Sequence, residues 1–242
     1  MQYNFDLFKK YPNLFIAFSE KKDGSMKIPG DNPGLLEANL KNREIFFKKF
    51  GLDSKMVANG ELVHGENIGL ITKENAGERI SGADGLVSRE KKVFLSFTAA
   101  DCLPIFLFDP KTEIVGIVHA GWRSLEKGIL SNAIKIIKDL GGTPENILTG
   151  IGPAICQKHY EVGQEMAEKF AKYPEVIKKD GNKIFLDIKK TARLQLLETG
   201  IREKNIEISP ECTFEMPKKY FSARRDNPAE IEAMVAVIGM KK

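Results

Sequence analysis

The chain has 242 residues, 42% hydrophobic and 29% charged, and its 37 Lys and Arg against 33 Asp and Glu leave a net charge of +4. That apolar fraction is ordinary for a globular protein, and no apolar run reaches the roughly 18 residues of a spanning helix, so a membrane protein is not expected. Lysine pairs at 9–10, 48–49, 91–92, 189–190 and 218–219 are scattered along the chain, a solvated face rather than a nucleic-acid stripe.

The first 22 residues, MQYNFDLFKKYPNLFIAFSEKK, lack the pattern of a signal peptide, so a cytoplasmic setting is expected. Residues 34–52, GLLEANLKNREIFFKKFGL, space their apolar positions as a helix ending near Gly51. GELVHGENIG (60–69) reads as a strand-like piece with glycine on both sides of His64. VFLSFT (93–98), LPIFLFD (103–109) and IVGIVHA (114–120) have strand length and content. The turn signal Asp109-Pro110-Lys111-Thr112-Glu113 joins the last two as a hairpin. Ser124 is positioned to cap a helix over 125–140 that stops at Gly141-Gly142. There follow a strand within 146–153, a helix over 161–172, an Asp-Gly turn leading into a strand, and a helix with Asp187 as its cap. IEIS and MVAVIGM read as strands, with loops between. Strands grouped in runs with helices between them indicate mixed-sheet α/β or, as expected here, α+β packing rather than a regular parallel wound sheet. With no linker-like tract and no repeat, residues 1–242 are expected to form a single domain, as a monomer or small homo-oligomer.

The hairpin poses a chemical question. Cys102 enters its first strand and His119 leaves its second, so the two side chains converge at one sheet edge. The three cysteines (102, 156 and 212) are odd in number and widely spaced, which points to reduced thiols. His64, one of only three histidines, completes with Cys102 and His119 a two-imidazole, one-thiolate set that zinc accepts with a position left open. The same atoms suit other uses. His119 could activate Cys102 as the nucleophile of a metal-free hydrolase, with Asp101 or Asp84 orienting the imidazole. A copper ion takes such ligands too, although three histidines are too few for a multicopper oxidase. Noncatalytic metal binding and plain core packing also remain open. Arg123, beside a helix start, and Arg224-Arg225 are forks suited to phosphate. Trp122, Cys156 and Cys212 read as packing residues and His159 as structural or exposed, and chemistry assigns nothing to Thr213.

VHG (63–65), TAADCLP (98–104), HAGWR (119–123), GIGPAIC with YEVG (150–163), the Cys212-Thr213 pair and FSARR (221–225) occur in order along the chain. Together they resemble the bacterial laccase-domain proteins, also called the polyphenol-oxidase family, whose members act as purine nucleoside phosphorylases. The resemblance implies a layered α/β/β/α sandwich related to the catalytic fold of cytotoxic necrotizing toxins. It also implies Zn²⁺ on His64, Cys102 and His119, phosphorolysis of adenosine, inosine, guanosine and methylthioadenosine, and adenosine deamination. In that reading Cys102, His119 and Asp101 are catalytic, and Arg123, Arg224 and Asp84 meet nucleoside or phosphate. Two positions depart from the family: Leu62 stands where Gln is common before Val-His-Gly, and Ser124 where Gly is common. Of the family's amino-terminal Ser-Leu-Asn-Leu-Gly stretch only SMKIPGDNP (25–33) remains.

Overall fold

Strand alternation builds the architecture. The computed structural model describes residues 3, 5–28 and 33–242; residues 29–32 of the SMKIPGDNP stretch lie outside them. The first half of the chain runs β1 (Leu14–Phe18), α1 (Pro33–Lys48), β2 (Val57–Gly60), β3 (Ile68–Ile71), β4 (Arg79–Ile80), β5 (Gly85–Ser88), β6 (Phe94–Ala99), β7 (Leu103–Asp109) and β8 (Ile114–Ala120). Then come α2 (Trp122–Glu126), α3 (Ile129–Asp139), β9 (Leu148–Ile151), β10 (Glu161–Val162), α4 (Gln164–Glu168), β11 (Ile177–Asp180) and β12 (Lys183–Leu186). The chain closes with α5 (Ile188–Glu198), β13 (Ile206–Ile208), α6 (Ala223–Asp226) and β14 (Met234–Met240).

Two larger mixed sheets result, ordered β1-β14-β6-β2-β4 and β13-β9-β7-β8-β5-β3, with a small third sheet β10-β12-β11. Every residue of β7 and β8 is buried, so each strand feeds two cores. Leu103, Ile105, Leu107 and Val118 pack with Ile129, Leu130, Ile134 and Ile137 of α3 and with Ala192 and Leu196 of α5. The alternate residues Phe106, Phe108, Val115 and Ile117 pack instead against Leu95, Phe97, Ala236 and Ile238 of the five-stranded sheet. The far face of that sheet, with Phe15, Ala17, Val235 and Val237, is covered by Phe46 and Phe47 of α1. Helix, sheet, sheet and helix are thus four layers. At about 1.5–3 kcal/mol for each fully buried large apolar side chain, burial along these strands outweighs any local propensity. Among the described residues, no helix is long and apolar enough to cross a membrane.

The hairpin of β7 and β8 is in the register Leu103↔Ala120 to Asp109↔Ile114. Asp109 closes it, its Oδ1 accepting from Lys111 N at 2.9 Å. The helix expected over 125–140 is divided. Gly128, at φ 86°, ends α2 in a left-handed conformation that glycine adopts without steric cost, and α3 starts behind it. Ser124 is no cap, because α2 begins two residues earlier with Gly121 as its N-cap; Ser124 Oγ is buried and without a hydrogen-bond partner among the described residues. The helix expected over 161–172 shrinks to Gln164–Glu168, since Glu161 and Val162 pair with Phe185 and Ile184. The Asp-Gly turn joins two strands rather than leading into one, with Asp180↔Lys183 closing a two-residue loop. Asp187 caps α5 as read, accepting from Lys190 N at 2.9 Å.

Candidate active site

Two crossovers between the large sheets carry site residues to one end of the sandwich. Residues 61–67 pass from β2 in one sheet to β3 in the other and bear His64, while residues 100–102 pass from β6 to β7 and bear Cys102. The third site residue, His119, is the penultimate residue of β8, opposite Pro104. The ligand atoms of His64, Cys102 and His119 all lie within 4.8 Å of one another, and the two imidazoles meet edge to face at 5.2 Å between centroids. Neither crossover is relaxed backbone. His64 has φ 54° and Asp101 φ 84°, sparsely populated for residues with a Cβ, and such conformations persist only where the surroundings impose them. The strand expected around His64 is therefore a tight turn.

Asp84 imposes the first of them. It is 0% exposed, just ahead of β5, and accepts the backbone N–H groups of Val63, His64 and Gly65 at 3.1, 3.0 and 2.8 Å. Its Oδ1 also lies 3.2 Å from His119 Nδ1, and its carbonyl accepts His119 N at 2.8 Å. A carboxylate only accepts, so the Nδ1–H donates and Nε2 is left for a ligand. Burial opposes the charge on Asp84, but the His119 bond and the amides of Gly65 and Val63 hold its carboxyl below the usual range. Both oxygens are thus engaged inside the protein. The direct substrate contact expected for Asp84 gives way to a positioning role, because nothing of it reaches the surface.

Cys102 is partly exposed. Burial of its sulfur raises the pKa, but the charge and hydrogen bonds of His119 and then His64 outweigh that and bring it down to about 6. His119 is moved the opposite way: burial lowers its pKa, while the Cys102 thiolate and the Asp84 bond raise it to about 9. Without a metal the two form a thiolate–imidazolium pair. In metal-free protein, carboxamidomethylation of Cys102 is accordingly expected to follow a pH profile with its midpoint near 6, the thiolate being lost below it, against about 8.5 for an ordinary thiol. Peptide mass spectrometry across pH reads this directly, and a midpoint above 8 would contradict the pairing.

Gly121 leaves this corner little room for a side chain. A Cβ placed there would stand 3.1 Å from Cys102 Sγ and 3.3 Å from His64 Cδ2. Gly121→Ala is expected to push both side chains apart by a few tenths of an ångström and to weaken metal binding by about 10-fold, at the low end of the 10–100-fold that changes around metal ligands bring. Equilibrium dialysis with Zn²⁺ measures the change.

Asp101 is a second anchor. Its Oδ1 accepts Thr213 Oγ1 at 2.6 Å and its Oδ2 accepts Ser222 Oγ at 2.9 Å and Arg224 N at 2.7 Å. It ties the Cys102 crossover to the segment bearing Arg224, and this gives Thr213 the purpose that sequence chemistry could not. Arg224 donates to the Glu161 carbonyl at 2.7 Å and lies 5.2 Å from the Tyr160 ring. Arg123 is exposed and stacks on Trp122 at 4.4 Å. Burial first, and then the Cys102 charge, push the Tyr160 hydroxyl up, so it stays protonated. The charges of Arg224 and Arg123 oppose this rise, and Arg224 lies beside the Tyr160 ring itself.

On the His64 side a cavity of about 260 Å³ opens, lined by Leu62, His64, Phe97 and Thr98 together with Arg43 and Arg79. Leu62, the residue standing in place of Gln, makes that wall apolar. Arg43, on the buried face of α1, donates to Met26 O at 3.0 Å, to Ser96 Oγ at 3.1 Å and to Asn59 Oδ1. Burial lowers its pKa to about 10, which leaves it charged at neutral pH. Sequence reasoning missed Arg43, Arg79 and Tyr160: Arg43 sits within an otherwise ordinary amphipathic segment, and only tertiary packing turns it towards the cavity.

With this geometry in hand, the chain can be compared with known proteins. It belongs to the family described as "multi-copper polyphenol oxidoreductase laccase", whose model matches residues 28–241. It is 30% identical over 249 residues to purine nucleoside phosphorylase YlmD of Bacillus subtilis, covering 95% of this chain and 89% of that protein. A prokaryotic protein named adenosine deaminase RL5 is 32% identical over 152 residues, covering 60% of this chain and 58% of its own. The crystal structure of YlmD from Geobacillus stearothermophilus superposes with a TM-score of 0.90 at 26% identity, over 97% of this chain and 94% of that one.

Proposed function

We propose that this chain is a zinc-dependent purine nucleoside phosphorylase with adenosine deaminase activity, its 242 residues acting as one domain in the cytoplasm. The observation that carries the reading is the meeting of His64, Cys102 and His119, with ligand atoms within 4.8 Å, in a chain related to proteins named for both activities. The donor set fits Zn²⁺: two imidazoles, a thiol whose proton is already easily lost, and a carboxylate behind His119 that fixes its tautomer. Three protein ligands leave one coordination position open. The family's copper description fits less well, because three histidines cannot hold a blue-copper centre and a trinuclear cluster together.

When bound, zinc supplies Lewis acidity at that open position, for activating water in deamination. The remaining work falls to the chain. The cavity between Leu62, Phe97 and Thr98 receives the nucleoside, with the apolar wall against the planar base. Arg123 and Arg224 hold phosphate on the Cys102 side. An oxygen of that phosphate attacks the sugar carbon as its bond to the purine nitrogen breaks, yielding free base and ribose 1-phosphate. The five-residue α2 adds little charge of its own, so the guanidinium groups carry the anion. Asp101 orients Arg224 through its backbone N–H, and Tyr160, kept protonated, is the neutral donor at hand for the leaving base.

Metal-analysed protein incubated with adenosine tests this. Adenine and ribose 1-phosphate formed only with phosphate, and inosine formed without it, are the expected products, both abolished by chelation and restored by Zn²⁺. The thiolate–imidazolium pair favours one rival, a metal-free cysteine hydrolase. That enzyme would be indifferent to chelators and would leave adenosine unchanged, and this outcome would displace the proposal.

A further inference from the structure

A second group of metal-ligating side chains lies apart from the first. We infer that Cys156, His159 and Glu215 form a second site for a zinc-class divalent cation, one that ties two surface turns together. Their ligand atoms lie within 4.8 Å of one another. A Zn–S bond of about 2.3 Å and a Zn–N bond of about 2.1 Å put two such ligand atoms no more than about 4.4 Å apart, so a modest side-chain adjustment closes the set.

The local backbone supports this. Cys156 precedes the single 3-10 turn Gln157–His159, whose closing bond runs from His159 N to Cys156 O at 3.1 Å. Side chains three residues apart on such a turn lie one above the other. The second segment repeats the spacing: Cys212 and Glu215 flank Thr213 and Phe214 in a turn. The two segments are fastened in register by the Ala154↔Cys212 bridge and by Thr213 N to Ala154 O at 3.2 Å. Cys156 and His159 thus share the short i, i+3 spacing by which zinc sites take paired ligands from one turn, and the facing turn adds Glu215. The His159 ring is held flat on Phe214, with centroids 4.3 Å apart and planes at 13°, and its Nε2 is 3.1 Å from Glu215 Oε1.

Cys212 is buried, and its Sγ accepts Cys156 N at 3.2 Å, an N–H to sulfur bond that would orient the site from behind. Lys158 now pairs with Glu215; it is exposed, and such surface pairs contribute little, so an ion can displace it. Without an ion, burial and then the neighbouring Cys212 push the Cys156 thiol up to about 12. Metal binding therefore releases its proton to solvent, and the site fills better as pH rises.

The test uses the reduced full-length protein. Zn²⁺ is added in excess, the protein is dialysed, and bound metal is counted by elemental analysis in wild type, in Cys102→Ala and in Cys102→Ala combined with Cys156→Ser or with His159→Gln. Retention of one zinc per chain by Cys102→Ala, lost in both double variants, is the expected result. The same Cys102→Ala protein loaded with Co²⁺ should show a thiolate-to-cobalt absorption band that Cys156→Ser removes. Circular dichroism melts of the double variants separate lost metal from lost fold. One zinc in wild type and none in Cys102→Ala, with no cobalt–thiolate band, overturns the second site while leaving the first intact. Failure of nucleoside turnover has no bearing on this count.

Discussion

Cys102→Ala is expected to reduce both phosphorolysis and deamination by at least about 1,000-fold, within the 8–23 kcal/mol range by which enzymes lower barriers. The reason is compositional as well as geometric. Among the described residues, three metal-ligating side chains converge at this corner, and the lost sulfur is both the anionic donor and a group whose charge sustains His119. Two imidazoles alone offer the ion no anionic donor, and metal affinity falls with activity. Steady-state assays with adenosine, run with and without phosphate on protein of known metal content, check this. The fold itself should be little affected, because Cys102 is partly exposed and His119, which loses its sulfur partner, keeps its bond to Asp84. Retention of full turnover by the variant would mean that the sulfur is not a ligand.

Asp84→Ala is expected to be the most damaging change to stability and site together. The substitution strips four hydrogen-bond donors of their acceptor at once, namely the amides of residues 63 to 65 and His119 Nδ1. At about 1–3 kcal/mol for each buried group left unsatisfied, and with partial relief by water entering the turn, a net loss of about 3–5 kcal/mol follows. The left-handed conformation of His64 then has nothing to hold it. Removing a carboxylate behind a metal-ligating histidine typically costs 10–100-fold in affinity, and here the turn carrying a second ligand is released as well. Denaturant melts and zinc titration measure the two effects. Asp84→Asn separates them: it keeps an acceptor for part of the amide cluster but repels or fails to balance the protonated His119. Acid should act similarly. The carboxyl's pKa is depressed in the fold, so its contribution is present above the ordinary carboxylate range and disappears as pH falls through the lower folded value.

Much of the sandwich could be read from the residues alone. The runs 103–109 and 114–120 carry β-branched and aromatic side chains on both faces, as strands buried on both sides do, and their turn residues dictate a hairpin. Its register then brings Cys102 near His119 with no further information. His64 is different. Its approach depends on Asp84 gathering three consecutive amides, a long-range contact with no local pattern, so GELVHGENIG passed for a strand. The split between α2 and α3 was similarly hidden, since an isolated glycine is tolerated within helices and only its φ reveals a break. Glu161 and Val162 left the helix because β12 offered a sheet partner, a case of tertiary pairing overriding a local period. The purpose of Thr213 and Arg43 lay beyond sequence reading altogether, because each works through a partner more than 35 positions away.

The placement of His64 and Cys102 on separate inter-sheet crossings has a consequence for biogenesis. A short zinc finger can recruit its ion while the rest of the chain is still unravelled. Here the ligands are distributed along the chain from position 64 to position 119, and they face one another only after both sheets have stacked. A metal held by these three would therefore be loaded late, as a rivet driven through two plates already aligned, and would not trap the nascent polypeptide.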